Sequence, residues 1–315
     1  MTLITPLSIL DSFFDLTILA SISALLLLSI FSLIFIFQLR FKSKTSHHLQ
    51  RFNSLWTVRF LLVLFISLWA LNEHQRLPLL RRRDIYPFLP FLDLSQQVNL
   101  CKIHVVLSLG FLEPAFLVTL LFLVDVSVKK ETPDGKWAIA SVLGICIPTL
   151  CIQIFIVFSR VELILHLPEF FFRSSVILRN SLDRQIVLCS YPLMSTTVFG
   201  AFGFGYCLIF LFSSWKVVSL VINKALRFRI YALTLAVLIS LPLQILLLGL
   251  SALWQPDQPA FGGVSLAVFL STFSCAVVGE GILVIKPITE SLAVGGDFSL
   301  WDPWRRATVV REGRA

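Results

Sequence analysis

Residues Ser21–Phe37 read SISALLLLSIFSLIFIF, a stretch without a single charged side chain. The apolar run around it extends from Leu16 to Gln38. About 20 apolar residues in a helix cross the hydrocarbon layer of a bilayer, and a helix satisfies its own backbone hydrogen bonds there. The stretch therefore predicts a transmembrane helix. No Lys or Arg precedes it, which favours a signal anchor over a cleaved signal peptide.

Six further apolar runs follow along the chain. They lie at about Leu55–Leu71, Ile103–Val126, Trp137–Phe158, Ile186–Trp215, Ile230–Trp254 and Phe261–Ile285. With the first run they predict an all-α, polytopic transmembrane bundle of seven helices over residues 1–285. Residues 286–315 are then a short cytoplasmic tail that can lie on the membrane surface. The segment Glu73–Asn99 is expected to be a long outer loop.

The composition excludes an ordinary soluble protein. Hydrophobic residues make up 57% of the 315-residue chain and charged residues 14%, against about 25% charged in soluble domains. The net charge of +8 comes from basic residues in short segments between apolar runs. That placement is typical of cytoplasmic loops that contact anionic lipid headgroups, and it does not indicate nucleic-acid binding.

The basic residues also predict the orientation. Sixteen of the 26 Lys and Arg residues fall in the segments 39–54, 127–136, 216–229 and 286–315, and eight fall in the alternate segments. Because cytoplasmic loops are enriched in Lys and Arg, this favours an outside N-terminus and a cytoplasmic C-terminus. The run Arg81–Arg83 opposes the trend, since it falls on the outer side.

One acidic residue, Glu113, falls near the middle of the third run and is followed by Pro114. A carboxylate at bilayer depth is costly and usually faces the bundle interior. Two interpretations remain open. Glu113 either contacts a ligand, ion or proton, or it is a structural hydrogen-bond anchor with Gln244 or Thr272 at similar depth.

A second acidic residue, Glu280, and the basic Arg59 lie at matching depths near the cytoplasmic ends of runs seven and two. We expect a structural ion pair between them. The competing interpretation is that Arg59 extends to the headgroups.

The cysteines and histidines bear on disulfide and metal chemistry. Cys101 and Cys189 fall at the outer ends of runs three and five, where a disulfide is possible and two reduced thiols are the alternative. The five histidines form no H-E-x-x-H motif, and His74 and His104 lack an evident third ligand. We therefore expect no metal and no cofactor.

Seven helices with an outside N-terminus resemble the plan of G-protein-coupled receptors. The third run ends Leu123-Val-Asp125-Val126 in place of D-R-Y, and the sixth has Pro242 in LISLPLQIL in place of C-W-x-P. The seventh has Gly279-Glu-Gly-Ile282 in place of N-P-x-x-Y. The topology is similar to the plant-type seven-helix membrane proteins regarded as receptor candidates, and this resemblance implies a receptor-like role.

Three functions therefore compete. We expect first a receptor-like or scaffold protein without enzymatic activity, in the plasma membrane or an endomembrane. Trp215–Arg229, which reads as a basic amphipathic helix, would be its cytoplasmic partner surface. The alternative is a small-solute or proton-coupled transporter that uses Glu113 and Glu280. An intramembrane metal hydrolase ranks third, because a ligand set is missing.

Overall fold

Seven long helices dominate the structure. The computed structural model describes residues 6–43, 55–76, 93–126, 135–159, 168–179, 185–254 and 259–294. The helices are α1 (Pro6–Ser43), α2 (Trp56–Arg76), α3 (Leu94–Val126), α4 (Gly135–Phe158), α5 (Leu193–Leu220), α6 (Lys224–Leu253) and α7 (Pro259–Glu280, continued by Gly281–Ile285 and Lys286–Val294). In these described ranges, seven helices are long and apolar enough to cross a membrane. The predicted number and class of helices are confirmed.

The ends of α2 and α3 correct the predicted outer loop. α2 continues to Arg76, and α3 begins at Leu94, so Glu73 is helical. Asp93 fixes the start of α3 with a capping box, in which its carboxylate accepts from the backbone N–H of Gln96. The same carboxylate also accepts from the Leu94 N–H at 2.8 Å. The Gln96 side chain accepts in return from the Asp93 N–H at 3.1 Å. Such caps satisfy backbone donors that the first helical turn leaves unused.

A β-hairpin precedes α5, and this hairpin was not predicted from the sequence. Its antiparallel strands are β1 (Ser175–Arg179) and β2 (Gln185–Cys189), and Ser175 pairs with Cys189. The predicted fifth transmembrane run began at Ile186, but α5 begins only at Leu193. Pro192 explains the difference, since proline disfavours helical geometry in the preceding residue and fits the start of a helix.

The helices pack in a closed ring in chain order, and α7 returns to contact α1. α3 lies at the centre of this arrangement and contacts α2, α4 and α5. Along the most apolar stretch of α3, 78% of the residues are buried inside the bundle. The corresponding share is 28% in α1 and also in α4. A polar residue on α3 is therefore far more sheltered than one on an outer helix.

Apolar side chains cover the outside of the bundle and polar side chains lie inside it, which is the reverse of a soluble protein. Phe204 and Phe212 on α5 are 70% and 74% exposed, whereas Gln153 on α4 and Gln244 on α6 are buried. Soluble proteins rarely expose such continuous apolar surface. The polar side chains of this bundle are instead gathered inside it.

The segment Trp215–Arg229 was expected to be one amphipathic helix, and the structure shows otherwise. α5 ends at Leu220 and α6 begins at Lys224, with an extended turn between them. The side chain of Asn223 caps α6 by accepting from the Ala225 N–H at 2.9 Å. The segment is therefore two helix ends joined by a short turn.

Two π-helical turns interrupt the α-helices, and each adjoins a buried glutamate. Ser108–Leu112 directly precedes Glu113, and Gly281–Ile285 directly follows Glu280. Pro114 cannot donate a backbone hydrogen bond to the carbonyl of Gly110, and the hydroxyl of Thr149 on α4 donates to it at 2.9 Å. π turns are rare and frequently lie at functional sites.

The last helix extends beyond the predicted domain boundary at residue 285. After the π turn it continues from Lys286 to Val294. The predicted tail is therefore helical in its first part, and residues 295–315 lie outside the described residues.

Candidate functional site: a buried carboxylate network

Glu113 lies at the centre of a buried polar network. Both of its carboxylate oxygens accept hydrogen bonds, and the residue is 3% exposed. Oε1 accepts from the Trp69 Nε1 at 3.3 Å and from the Ser108 hydroxyl at 2.9 Å. Oε2 accepts from the Gln244 Nε2 at 2.6 Å. One side chain on α3 thus connects α2, α3 and α6.

The two partners proposed for Glu113 from sequence behave differently. Gln244 is bonded to it directly. Thr272 is buried on α7, but its hydroxyl faces the carbonyl of Val268 in its own helix, at 3.4 Å. Thr272 therefore does not join the network.

A second buried carboxylate, Glu73, lies within reach of the same hydroxyl. The Ser108 Oγ is 3.4 Å from Glu73 Oε1 and 2.9 Å from Glu113 Oε1. A serine hydroxyl has a single proton to donate. It can therefore donate to only one of the two glutamates at a time.

Glu73 is also connected to Tyr191 and His104. The Tyr191 hydroxyl lies 3.4 Å from Glu73 Oε1 and 3.2 Å from His104 Nε2. His104 Nδ1 faces the Asn72 carbonyl at 3.0 Å, and because a carbonyl only accepts, Nδ1 carries a hydrogen in this contact. The proton of Tyr191 can then point toward Glu73 or toward His104 Nε2.

Tyr191 stays a proton donor in this environment. Burial raises the pKa of Tyr191 above its ordinary value, and the nearby Glu73 carboxylate raises it further. Tyr191 precedes α5 and lies outside the membrane-length helices. Its hydroxyl therefore remains protonated at neutral pH.

Arg76 supplies a positive charge to the network. Its Nη1 lies 3.7 Å from Glu73 Oε2 and 3.5 Å from the Tyr191 hydroxyl. Its other terminal nitrogen donates to Ser265 on α7. Its guanidinium carbon also lies 5.0 Å from the centre of the Tyr191 ring. The network holds one guanidinium, which faces Glu73, and two carboxylates, those of Glu73 and Glu113, so a proton or a cation would balance the remaining charge.

A disulfide fixes the hairpin to the start of α3. Cys101 and Cys189 are bonded in the structure, with their Cα atoms 5.2 Å apart. Tyr191 follows two residues after Cys189, so the bridge holds the chain that carries Tyr191 beside α3. Of the two alternatives left open by the sequence, the structure contains the bridge.

The expected ion pair between Arg59 and Glu280 is not formed in the structure. The hydroxyl of Ser29 on α1 donates to Glu280 Oε2 at 3.3 Å. α1 packs against α7, and the α7 carboxylate faces this α1 hydroxyl. Matching depth along two helices did not reveal which neighbour each side chain faces.

Sequence reasoning found Glu113 and Gln244 but missed the rest of the network. Glu73 was assigned to a loop because the apolar run ends near Leu71. Ser108 was overlooked because serine is common in apolar helices. A usable signal was the spacing of His104 and Ser108, which lie four residues apart on one helix face.

His74 and His104 belong to no three-residue group of possible metal ligands in the described part of the chain. Among the described residues, no three His, Cys, Asp or Glu side chains are grouped so that they could hold a metal ion. The nitrogens of His104 face Asn72 and Tyr191. His47, His48 and His166 lie outside the described residues.

Comparison with known proteins places the chain in one family. Residues 7–299 match the family model described as Uncharacterised conserved protein UCP031277. The matched range contains every residue of the network. No curated protein matches the chain.

Proposed function

The chain belongs to the family of the Uncharacterised conserved protein UCP031277, and we propose that it is a multi-pass membrane protein with a receptor-like role and no enzymatic activity. The observation that carries this proposal is the sharing of the Ser108 hydroxyl by Glu73 and Glu113. Its location is a membrane, either the plasma membrane or an endomembrane.

The reversed polarity supports the membrane part of this proposal. Large apolar side chains face outward on α5, and buried carboxylates lie inside the bundle. Polar groups in membrane proteins gather in the bundle interior, because each unsatisfied polar group in hydrocarbon costs several kcal/mol.

Two independent features support the proposed orientation. Lys216, Lys224, Arg227 and Arg229 cluster at one end of the bundle, around the α5–α6 turn. The Cys101–Cys189 disulfide lies toward the other end, at the start of α3. Disulfides persist in oxidising compartments and basic loops are enriched in the cytoplasm, so both features support an outside N-terminus.

The basic end would then contact anionic headgroups of the inner leaflet. The two helix ends and the turn within Trp215–Arg229 would also present the surface for a cytoplasmic protein partner. Ile222 in this turn is 93% exposed, which makes it the most accessible large apolar side chain there.

Labelling in intact cells tests the orientation. A cysteine in place of Ile222 should react with a membrane-impermeant maleimide only after permeabilisation. An epitope tag before residue 1 should bind antibody without permeabilisation. The opposite pattern at both positions would refute the proposed orientation.

The receptor-like role rests on how Glu113 connects the helices. Its hydrogen bonds reach α2 through Trp69 and α6 through Gln244. A ligand, ion or proton that changes the charge of this network alters the bonds among three helices at once. Such a change can pass from the outer half of the bundle to the helix ends at the inner side.

The second candidate, a proton-coupled transporter, has its own supporting observation. Hydrogen-bonding groups follow one another from Glu113 through Ser108 and Glu73 to Tyr191 and His104. Chains of acidic and histidine side chains inside membranes serve as proton relays. This series could pass a proton toward the outer end.

A flux assay separates the two candidates. The protein is reconstituted into vesicles that contain a pH-sensitive dye, and a pH gradient is imposed. The receptor-like role predicts equal proton leak in empty vesicles, with wild type and with Glu113→Gln. A protein-dependent flux that Glu113→Gln abolishes and Glu169→Gln preserves would support the transporter. Glu169 is the matched control, because it is an exposed glutamate outside the network.

A distance measurement tests the receptor-like role directly. Spin labels at Ile222→Cys and Lys286→Cys, both exposed, report the separation of the α5–α6 turn from α7. The accessible native cysteines are first replaced by serine. Glu113→Gln should shift the distance distribution, and Glu169→Gln should leave it unchanged. Identical distributions in all three proteins would argue against coupling through Glu113.

A further inference from the structure

Glu280 on α7 is a buried carboxylate that the network around Glu113 does not include. Its side chain is fully buried. Oε2 accepts from the Ser29 hydroxyl at 3.3 Å, which is a long contact for an O–H donor. Oε1 has no hydrogen-bond partner among the described residues.

A second hydroxyl from α1 lies beside the same carboxylate. Ser32 follows Ser29 by three residues, so both hydroxyls lie on one face of α1. Ser32 is completely buried and interacts with Glu280. Within the described ranges, however, no hydrogen bond of normal geometry satisfies the Ser32 hydroxyl. Three oxygen-bearing side chains from two helices therefore converge, and two of their buried oxygens lack partners.

Buried polar atoms without partners call for an explanation, since the great majority in folded proteins are hydrogen-bonded. A buried carboxylate is especially costly at membrane depth unless an opposite charge or donors compensate it. In the described chain, Glu280 has the Ser29 hydroxyl as its hydrogen-bond donor, with the Ser32 hydroxyl beside it, and no positive charge is recorded at the carboxylate. At the contact between α1 and α7, the Ser32 hydroxyl oxygen and Glu280 Oε1 are therefore available to bind a ligand.

We propose that Glu280, Ser29 and Ser32 form a binding site for a small monovalent cation, with Na⁺ as the fitting ion. Carboxylate and hydroxyl oxygens are hard ligands that suit such ions. A single positive charge neutralises the single carboxylate. A divalent ion would leave a net buried charge, and Mg²⁺ in addition usually keeps several waters.

The π turn adds an independent indication at the same place. Gly281–Ile285 begins at the residue after Glu280, and the Lys286 N–H bonds to the Gly281 carbonyl in the wider π pattern. π turns inside helices frequently mark functional sites. This turn would set the direction in which Glu280 faces α1.

The site is separate from the proposed receptor-like network. None of its three residues contacts Glu113, Glu73 or Ser108 through the hydrogen bonds of the described chain. The Na⁺ site can therefore be present even if the proposed receptor-like role fails.

Thermal unfolding of the purified full chain in detergent tests the proposal. Tm is measured in NaCl and in choline chloride at equal ionic strength and at pH 7.5. Because a ligand that binds the folded state stabilises it in proportion to the logarithm of its concentration, Tm should rise steadily with NaCl. Equal Tm values in both salts across the range would overturn the proposal, and a carboxyl group that simply keeps its own proton predicts that result.

Direct binding of radioactive Na⁺ provides the second readout. Ser32→Ala removes one ligand oxygen and should weaken Na⁺ binding about tenfold or more, with folding retained. Glu280→Gln should abolish binding, and Ser32→Ala keeps the test decisive if Glu280→Gln does not fold. Glu169→Gln, which changes an exposed glutamate outside both clusters, should bind Na⁺ like wild type. Unchanged binding by Ser32→Ala would refute the assignment.

Discussion

The Gln244 side chain on α6 donates to Glu113 on α3 across 2.6 Å, in the buried core of the bundle. This bond satisfies a carboxylate oxygen for which no other hydrogen bond is described. The other carboxylate oxygen of Glu113 accepts hydrogen bonds from Trp69 and Ser108. Gln244 therefore connects α6 to the network through this hydrogen bond.

Replacement of Gln244 by Leu should destabilise the protein by about 1–3 kcal/mol, because it leaves a buried carboxylate oxygen without a donor. Thermal unfolding in detergent measures the effect. Thr272→Val is the matched control, since Thr272 is equally buried but faces its own helix backbone. A Gln244→Leu protein as stable as Thr272→Val would contradict the role given to this bond.

Loss of the disulfide should lower the stability by about 2–4 kcal/mol, because the bridge closes a loop between residues 88 positions apart. Cys101→Ser and Cys189→Ser should show the same drop in Tm, and a reducing agent should produce it in wild type. Cys151→Ser, which removes an exposed thiol outside the bridge, should leave Tm unchanged. Peptide mapping without reduction should also recover the Cys101–Cys189 linked peptide.

Gly110→Ala should destabilise the bundle by about 1–3 kcal/mol through overpacking. An added Cβ would lie 3.1 Å from the Gln153 Cβ and 3.3 Å from the Leu150 Cα, and the backbone of α4 cannot easily move away. Gly144→Ala is the control, because nothing lies within 4 Å of its added Cβ. That helical substitution should be neutral or slightly stabilising. Equal Tm changes for both variants would disprove the packing argument.

Charge reversal near the α5–α6 turn tests the pair formed by Arg229 on α6 and Glu290 on α7. Both terminal nitrogens of Arg229 contact the Glu290 carboxylate. The pair is partly exposed, so Arg229→Glu alone should cost only about 1 kcal/mol or less. The double variant Arg229→Glu and Glu290→Arg should recover most of that loss. No recovery in low-salt thermal unfolding would show that the pair contributes nothing.

Sequence alone predicted the helices well, because a run of about 20 apolar residues has no other stable arrangement in a bilayer. The same reasoning singled out Glu113 and named Gln244 as one of two candidate partners, and the structure bonds Glu113 to Gln244. It failed at the ends of α2 and α3, where polar residues such as Glu73 continue the helix inside the bundle. A hydropathy pattern shows where a chain is apolar. It cannot show that the polar end of a helix is buried inside the bundle.

The side-chain partners across helices were less predictable. Arg59 and Glu280 matched in depth, yet the rotation of α7 turns Glu280 toward Ser29 on α1. The hairpin could not be recognised because the apolar strand β2 runs into the apolar start of α5. Pro192 is the one sequence signal that separates the strand from the helix. Such features depend on packing between distant segments.

The π turn at Ser108–Leu112 changes the angular position of everything that follows it on α3. One residue turns an α-helix by about 100°, so regular α-helical geometry for the same residues would rotate Glu113 away from Trp69 and Gln244. The wider π turn absorbs this extra residue and keeps Glu113 directed at both partners. A family member that lacks one residue here would align with a one-residue gap, and its glutamate would keep the same neighbours on an uninterrupted α-helix.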